Sequence, residues 1–259
     1  VRDIDPIIVL SAAPRMGTTL VQRLLCSAAD CLIYGDTIGN DAAFLISYLA
    51  SKELAIRNQA FHSDPMLAPV LAGDVSEFIA DLSPASAGYL DSLSRSMAGP
   101  LEHCRNEARN HGRPHWGWKL AGAQTWMIRM LPAMLPKARI IHVDRDLVDT
   151  VRSAKTAGMV GEGPDFERFV ADAAANRRAL AELNGLPVLH LRLEELLADP
   201  ETGLGRLEEF AGISPIDRSV LAVKVNQPHS PWIAPVEISA AEEAVIRRYE
   251  PSNHHECAC

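Results

Sequence analysis

An α/β fold, with a parallel sheet flanked by helices and a mainly helical cap, is predicted by three features of the sequence. Short apolar runs rich in β-branched residues recur along the chain, and each is followed by apolar positions at helical spacing, the pattern of strands joined by helical crossovers. The first run ends in a turn that carries Gly17 directly before a helix. The composition, 47% hydrophobic and 22% charged over 259 residues, suffices for a sheet buried on both faces.

In chain order, Ile7-Ile8-Val9-Leu10 predicts a strand entered after Pro6, and Leu20, Leu24, Leu25 and Ala28 behind it recur at helical spacing. Residues 116–120 predict a further strand, followed by a helix through Leu131 that Pro132 is expected to end or kink. Residues 138–143 are a clear strand, with Leu147, Val148, Val151 and Ala154 on one helical face after it. Residues 187–191 form another, ahead of an acidic helix start at Glu194-Glu195. Between these, residues 37–112 read as a helical and irregular cap, broken at Pro65, Pro69, Pro84 and Pro100. Residues 158–164 make a glycine-rich loop, and the tail 251–259 reads as frayed. No linker divides the chain, so one domain over residues 1–259 is expected.

The same composition excludes several classes. Disorder does not fit the apolar content, and 16 Gly and 5 Cys fit neither a collagen-like chain nor a disulfide scaffold. The cysteines, at positions 26, 31, 104, 257 and 259, are odd in number and scattered, as expected of reduced thiols in the cytoplasm. No window approaches the run of about 18 apolar residues of a membrane span, and the first apolar run follows Asp3 and Asp5 rather than a basic segment. A formal net charge of -8 argues against general nucleic-acid binding, so neither nucleic acid nor membrane is an expected partner and phosphate recognition has to be local.

Ser11-Ala12-Ala13-Pro14-Arg15-Met16-Gly17-Thr18-Thr19 supplies such a local site. A strand, a glycine turn and a helix start aim free backbone N–H groups and the positive helix end at an anion. A Walker A loop, GxxxxGK[ST], has a lysine after its last glycine; here Thr18 stands there, and no glycine lies five positions before Gly17. Pro14-Arg15-Met16-Gly17-Thr18-Thr19 instead resembles the 5'-phosphosulfate loop, P-[KR]-[SAT]-G-[ST]-T, of sulfotransferases that use 3'-phosphoadenosine 5'-phosphosulfate (PAPS). Met16 departs from it, at a position that commonly holds a small residue.

A second motif strengthens the resemblance. Asp144-Arg145-Asp146-Leu147-Val148-Asp149-Thr150-Val151-Arg152-Ser153, after the strand ending at Val143, resembles the family's 3'-phosphate segment R-[DN]-P-x-D-x-x-x-S. Arg145 and Ser153 stand 153 − 145 = 8 apart, the family's spacing, and a guanidinium fork with a hydroxyl makes a sensible dianion clamp. Leu147 replaces the usual proline or glycine. Without the resemblance, Arg145 reads as the partner of Asp149 and Ser153 as a helix serine bonded to the turn before it. The segments 188–200 and 207–213 are similar to the family's Y-E-D-L-x-x-D-P and F-L-G-I patterns. The likeness covers residues 6–30 and 115–213, and implies a single P-loop-like domain.

What the resemblance implies about chemistry is transfer of a sulfuryl group from PAPS to an acceptor hydroxyl, leaving 3'-phosphoadenosine 5'-phosphate (PAP), with no metal required. Arg15, Met16, Gly17, Thr18 and Thr19 would hold the phosphosulfate, and Arg145 and Ser153 the 3'-phosphate. A carboxylate-base branch that includes protein-tyrosine sulfotransferases places its base after the first helix. Asp36 stands 36 − 15 = 21 residues after Arg15, as that branch does, although an aspartate there is shorter than its glutamate and also reads as a helix cap. His115 and His62 are the alternatives from the histidine-base branch.

Lys119 is conspicuous because the chain has 20 arginines and only five lysines, and Trp118-Lys119-Leu120 resembles the W-K-x-P segment whose lysine meets the sulfate, with Ala121 in place of its proline. It also reads as a lysine extending from a sheet edge. Ser230, in Val225-Asn226-Gln227-Pro228-His229-Ser230-Pro231-Trp232, resembles a serine that closes over the nucleotide, or lies in a proline-rich surface loop. The tail His254-His255-Glu256-Cys257-Ala258-Cys259 reads as frayed rather than metal-binding. The rival functions are a P-loop small-molecule kinase and a non-catalytic nucleotide-binding protein. The acceptor, a small molecule or peptide hydroxyl, and the oligomeric state are not legible.

Overall fold

Strand β1 (Ile7–Ser11) lies at the centre of a five-stranded, wholly parallel sheet in the computed structural model, which describes residues 3–74, 76, 82–223 and 236–249. The others are β2 (Cys31–Tyr34), β3 (His115–Ala121), β4 (Arg139–Asp144) and β5 (Val188–Arg192), and the spatial order is β2-β3-β1-β4-β5. Four strands fall within a residue or two of the sequence expectation. The fifth, β2, of only four residues, is not among the strands predicted from the sequence.

Side chains alternate between two cores, as the pleat requires. Ile8, Leu10, Trp116, Trp118, Leu120 and Ile140 enter one, with α2 (Asp36–Leu71), α3 (Ser86–Asn110), α4 (Thr125–Met134) and α6 (Pro164–Ala181) packed over them. Ile7, Val9, Ile33, Ile141, Val143 and Leu191 enter the other, covered by α1 (Thr18–Ser27), α7 (Leu193–Ala198) and α8 (Pro200–Ala211). Helices α5 (Leu147–Thr156) and α9 (Ala240–Tyr249) and a short 3-10 turn (Arg218–Ala222) complete the described elements.

The register fixes where chemistry can occur. β1 pairs with β3 (Val9 opposite Lys119) and with β4 (Leu10 opposite His142). The loops leaving β1, β3 and β4 therefore emerge side by side at one carboxyl edge, where the strand order reverses about β1. Open α/β sheets bind ligands in that crevice.

Four proline expectations are corrected. Pro65 and Pro69 lie inside α2 and Pro100 inside α3, while Pro84 separates the two helices. Each internal proline removes one backbone donor, but the turns on either side keep theirs and the helix continues. Helix α2 and helix α3 run antiparallel as a hairpin, tied at its far end by Asp64, which accepts from both the amide and hydroxyl of Ser86 (3.2 and 2.7 Å). Pro132 likewise lies inside α4, which continues past it to Met134 instead of ending at Leu131. The tail from Pro251 lies outside the described residues.

His142 on β4 is 4% exposed, and its Nδ1 shares a hydrogen bond of 3.0 Å with Nδ1 of His190 on β5. Burial, then His190, then Arg177 hold its pKa down to about 3 from an ordinary 6.5. The unfolded chain takes up this proton near the ordinary value and the folded chain only near the lowered one. Its contribution to stability is therefore complete above about pH 6.5 and falls as the pH drops towards 3. Urea unfolding of wild type is expected to lose midpoint between about pH 7 and about pH 5, and His142→Leu to lose distinctly less over that window. Equal losses would show that His142 does not set the slope.

Candidate active site

The turn between β1 and α1 is built on two left-handed residues. Gly17 has φ 98°, and Arg15, at φ 72°, is the one non-glycine with positive φ among the described residues. A residue with a β-carbon pays about 1–2 kcal/mol in this region, and such strain gathers at functional sites. At Gly17 a Cβ would also come to 3.0 Å from Leu193 Cδ2, so a side chain there would crowd that leucine as well as strain the backbone.

The carbonyl of Gly17 accepts from the amides of Leu20 (3.0 Å) and Val21 (3.2 Å). The N–H groups of Gly17, Thr18 and Thr19 thus precede the first internal bond of α1 and lie at its positive end. Met16 is fully buried in the core. Its side chain fills space beneath the loop, which accounts for a large residue at this position and leaves only its backbone for a ligand.

Arg145, one residue beyond β4, reaches this turn. Its Nη1 donates to the Arg15 carbonyl at 3.1 Å, and Arg15 Nε donates to Ser153 Oγ on α5 at 3.1 Å. Asp146 caps α5 by accepting from the Asp149 amide (2.9 Å), which orients the helix that carries Ser153. Asp149 pairs with Arg152, not with Arg145. Among the described residues neither Arg15 nor Arg145 has a carboxylate partner. Two guanidinium groups, a helix N-terminus and a hydroxyl therefore converge without a counter-charge, an arrangement that attracts a polyanion.

A second pair forms nearby on the same edge. Lys119, 6% exposed, makes an ion pair through Nζ with Asp36 Oδ2, while the Ala121 amide donates to Asp36 Oδ1 at 3.1 Å. Asp36 is the first residue of α2. Gly39, one turn further, lets the helix lie against β3, because a Cβ there would overlap the Lys119 carbonyl.

His115 does not join these groups. It begins β3 and sits 3.9 Å from Asp30 at the amino edge, about 20 Å along the strand from Ala121 at 3.3 Å per residue. A strand's first residue cannot serve a site at its last, so the His115 alternative is withdrawn. Ser230 and the His62 side chain lie outside the described residues. A cavity of about 510 Å³ between α2 and α3 is lined by Ile4, Leu49, Leu90, Ala98 and Met134 among others. Ile4 precedes β1 and Met134 ends α4, so this cavity too is at the amino edge, away from Arg15 and Lys119. Among the described residues no group of three or more His, Cys, Asp or Glu could hold a metal ion.

Three residues around the two loops escaped the sequence reading. Asn176 Nδ2 donates to the Ala12 carbonyl (3.1 Å), and Arg177 Nη2 donates to the Arg145 carbonyl (2.6 Å). Glu194 accepts from the Asp146 amide (2.9 Å). For Asn176 a signal existed: a weak helix former after Ala173-Ala174-Ala175 asks for a reason. Glu194 was legible only as a helix start.

The family model described as "Sulfotransferase family" matches residues 6–217. The chain belongs to the sulfotransferase family. The matched span of this sulfotransferase contains all five strands and both loops that carry Arg15 and Arg145. Its fold is similar to that of the sulfotransferase domain from the Synechococcus PCC 7002 olefin synthase, at 13% identity over 96% of each chain and a TM-score of 0.53. A sulfotransferase, STF1, from Mycobacterium tuberculosis H37Rv aligns over 96% of this chain and 77% of its own, at 16% identity and a TM-score of 0.48. No curated protein sequence matches the chain.

Replacing Gly39 by Ala is expected to push the start of α2 off β3. The cost should be about 1–3 kcal/mol in urea unfolding, the range for forced overpacking, with a loss of turnover beyond what the folded fraction explains. Unchanged stability and turnover would mean that the approach of α2 to Lys119 does not hold the site.

Proposed function

We propose that this sulfotransferase takes its sulfuryl group from PAPS and delivers it to an acceptor hydroxyl, releasing PAP. The observation that carries the reading is the meeting of Arg15, Arg145 and Ser153 across two strand-to-helix loops, with no carboxylate among the described residues to neutralise either arginine. The residues fit a donor with two separate anionic ends. Arg15 and the amides of Gly17, Thr18 and Thr19 suit the 5'-phosphosulfate. Arg145 and Ser153 suit the 3'-phosphate, and because Ser153 Oγ accepts from Arg15 its own proton remains to be donated.

The bound donor supplies an activated sulfuryl group, and the protein supplies position and charge. Asp36 is the proposed base and Lys119 the proposed sulfuryl contact. Both oxygens of Asp36 are engaged, one by Lys119 and one by the Ala121 amide. Lys119 is a flexible point charge: as it turns to the sulfuryl oxygens it uncovers Oδ2 for the acceptor's proton. Arg15 meets charge that develops on the bridging oxygen. An aspartate base aligns the protein with the carboxylate-base branch, and the acceptor would be a small molecule or a peptide. Ser230 would close over the nucleotide. A cytoplasmic setting suits the free thiols of Cys26, Cys31 and Cys104.

Two outcomes are expected. In calorimetric titration wild type should bind PAP about 30-fold to 1000-fold more tightly than AMP, the equivalent of roughly 2–4 kcal/mol for an arginine fork with a hydroxyl on phosphate. Arg145→Ala should bring that ratio towards one, and Ser153→Ala should reduce it less, since a neutral donor contributes less. Comparable wild-type affinities for PAP and AMP, or a preference for ATP, would contradict the donor. Separately, Asp36→Asn should lower turnover about a hundredfold or more while PAP affinity stays near wild type, the scale of losing a positioned base. Full turnover at saturating acceptor would remove Asp36 from that role.

A further inference from the structure

The two anion loops touch each other through Arg15, but a second connection between them runs through consecutive residues of one helix. In α6, Asn176 is 8% exposed. Its Nδ2 donates to the Ala12 carbonyl in the loop after β1 (3.1 Å). Its Oδ1 accepts from both the amide (2.8 Å) and the hydroxyl (2.9 Å) of Thr125, the first residue of α4 after the loop that leaves β3. Arg177, next in sequence, donates from Nη2 to the Arg145 carbonyl (2.6 Å) in the loop after β4 and pairs with Asp144 (2.9 Å). One turn of α6 therefore holds backbone in the loops after β1 and β4, which carry the proposed donor-binding residues, and at the end of the loop after β3, the strand that carries Lys119.

We infer that Asn176 and Arg177 are positioning residues for sulfuryl transfer, Asn176 setting the 5'-phosphosulfate loop and Arg177 the 3'-phosphate loop. The inference rests on the donor reading above. The two residues differ in what they hold. Asn176 grips a carbonyl five residues before Gly17, and the strained turn at Arg15 and Gly17 is built on that stretch. Arg177 grips the carbonyl of the very residue whose guanidinium serves the 3'-phosphate, and the ion pair with Asp144 anchors the strand end before it. Glu194 steadies the same loop from α7 through the Asp146 amide. With Arg177 in place, the Arg145 side chain projects from a backbone fixed on both sides. Without it, the guanidinium must be ordered at the moment of binding, which weakens the contact.

A bracing role confined to folding would lower stability without regard to ligand. A positioning role divides by ligand, because AMP lacks the 3'-phosphate. Arg177→Met and Asn176→Ala, made in the full chain, should be titrated with PAP and AMP, and their kcat and KM for PAPS measured. Arg177→Met is expected to weaken PAP by about 5-fold to 20-fold and AMP by no more than about twofold, so that the PAP:AMP ratio falls. Asn176→Ala is expected to weaken both ligands by a similar factor, about 3-fold to 10-fold, with the ratio kept and kcat reduced. Should either variant fail to fold, Arg177→Gln, which shortens the side chain and removes the charge that Nη2 brings to Asp144, and Asn176→Asp, which keeps the acceptor for Thr125, carry the same expectations. A wild type that prefers PAP, loses the preference in Arg145→Ala and keeps it in the Arg177 variants overturns this inference alone. The same holds if the Asn176 variants bind both ligands like wild type. A wild type that binds PAP and AMP alike overturns the donor reading and this inference with it.

Discussion

Arg15 is the joint on which the site depends. Its left-handed backbone turns its carbonyl towards Arg145, and its side chain reaches Ser153, so one residue links the loop after β1 to the loop after β4 and to α5. That link is possible because β1 and β4 are adjacent and parallel, which places their carboxyl ends at one edge. The buried pleat on both sheet faces then keeps the edge from shifting, since slipping a strand by one residue would exchange its two cores. The strain at Arg15 is held by its surroundings: Met16 is anchored in the core, the Ala12 carbonyl is held by Asn176, and Gly17 packs on Leu193.

Positive charge gathers around this joint. The whole chain carries a net charge of -8; some arginines, such as Arg218 and Arg168, sit beside carboxylates, and others, such as Arg113 and Arg139, bond backbone carbonyls. Among the described residues Arg15 and Arg145 have no carboxylate partner, and they differ from the others in lying on touching loops at the end of α1, which adds its own positive field to theirs. Two guanidinium groups on touching loops with no paired carboxylate suit the proposed anionic donor better than they serve stability. Lys119 differs from them in having Asp36. A buried ammonium left alone would be costly, and the ion pair with Asp36 stabilises it.

The parts of this account legible in the sequence are those carried by local pattern. The strands β1, β3, β4 and β5, the helix starts behind them, and both arginine loops follow from short runs and turn residues. Strand β2 has only four residues and alternates buried and half-buried positions, too short a pattern to separate from a helix exit. Internal prolines hid the length of α2 and α3, because the packing that carries a helix through a proline is tertiary. The pairing of Asp36 with Lys119 joins residues 83 apart, and nothing local announces it. Asn176 and Arg177 act on backbone carbonyls, which any sequence supplies, so their partners become visible only once α6 is laid across the loops.

The central claim is that two strand-to-helix loops form one site for a nucleotide with two anionic ends, and a crystal structure of the protein with PAP tests it most directly. The 5'-phosphate is expected on the amides of Gly17, Thr18 and Thr19 beside Arg15, and the 3'-phosphate between Arg145 and Ser153. A nucleotide bound elsewhere, or bound at the loop with its 3'-phosphate turned to solvent and Arg145 still facing only the Arg15 carbonyl, would contradict it.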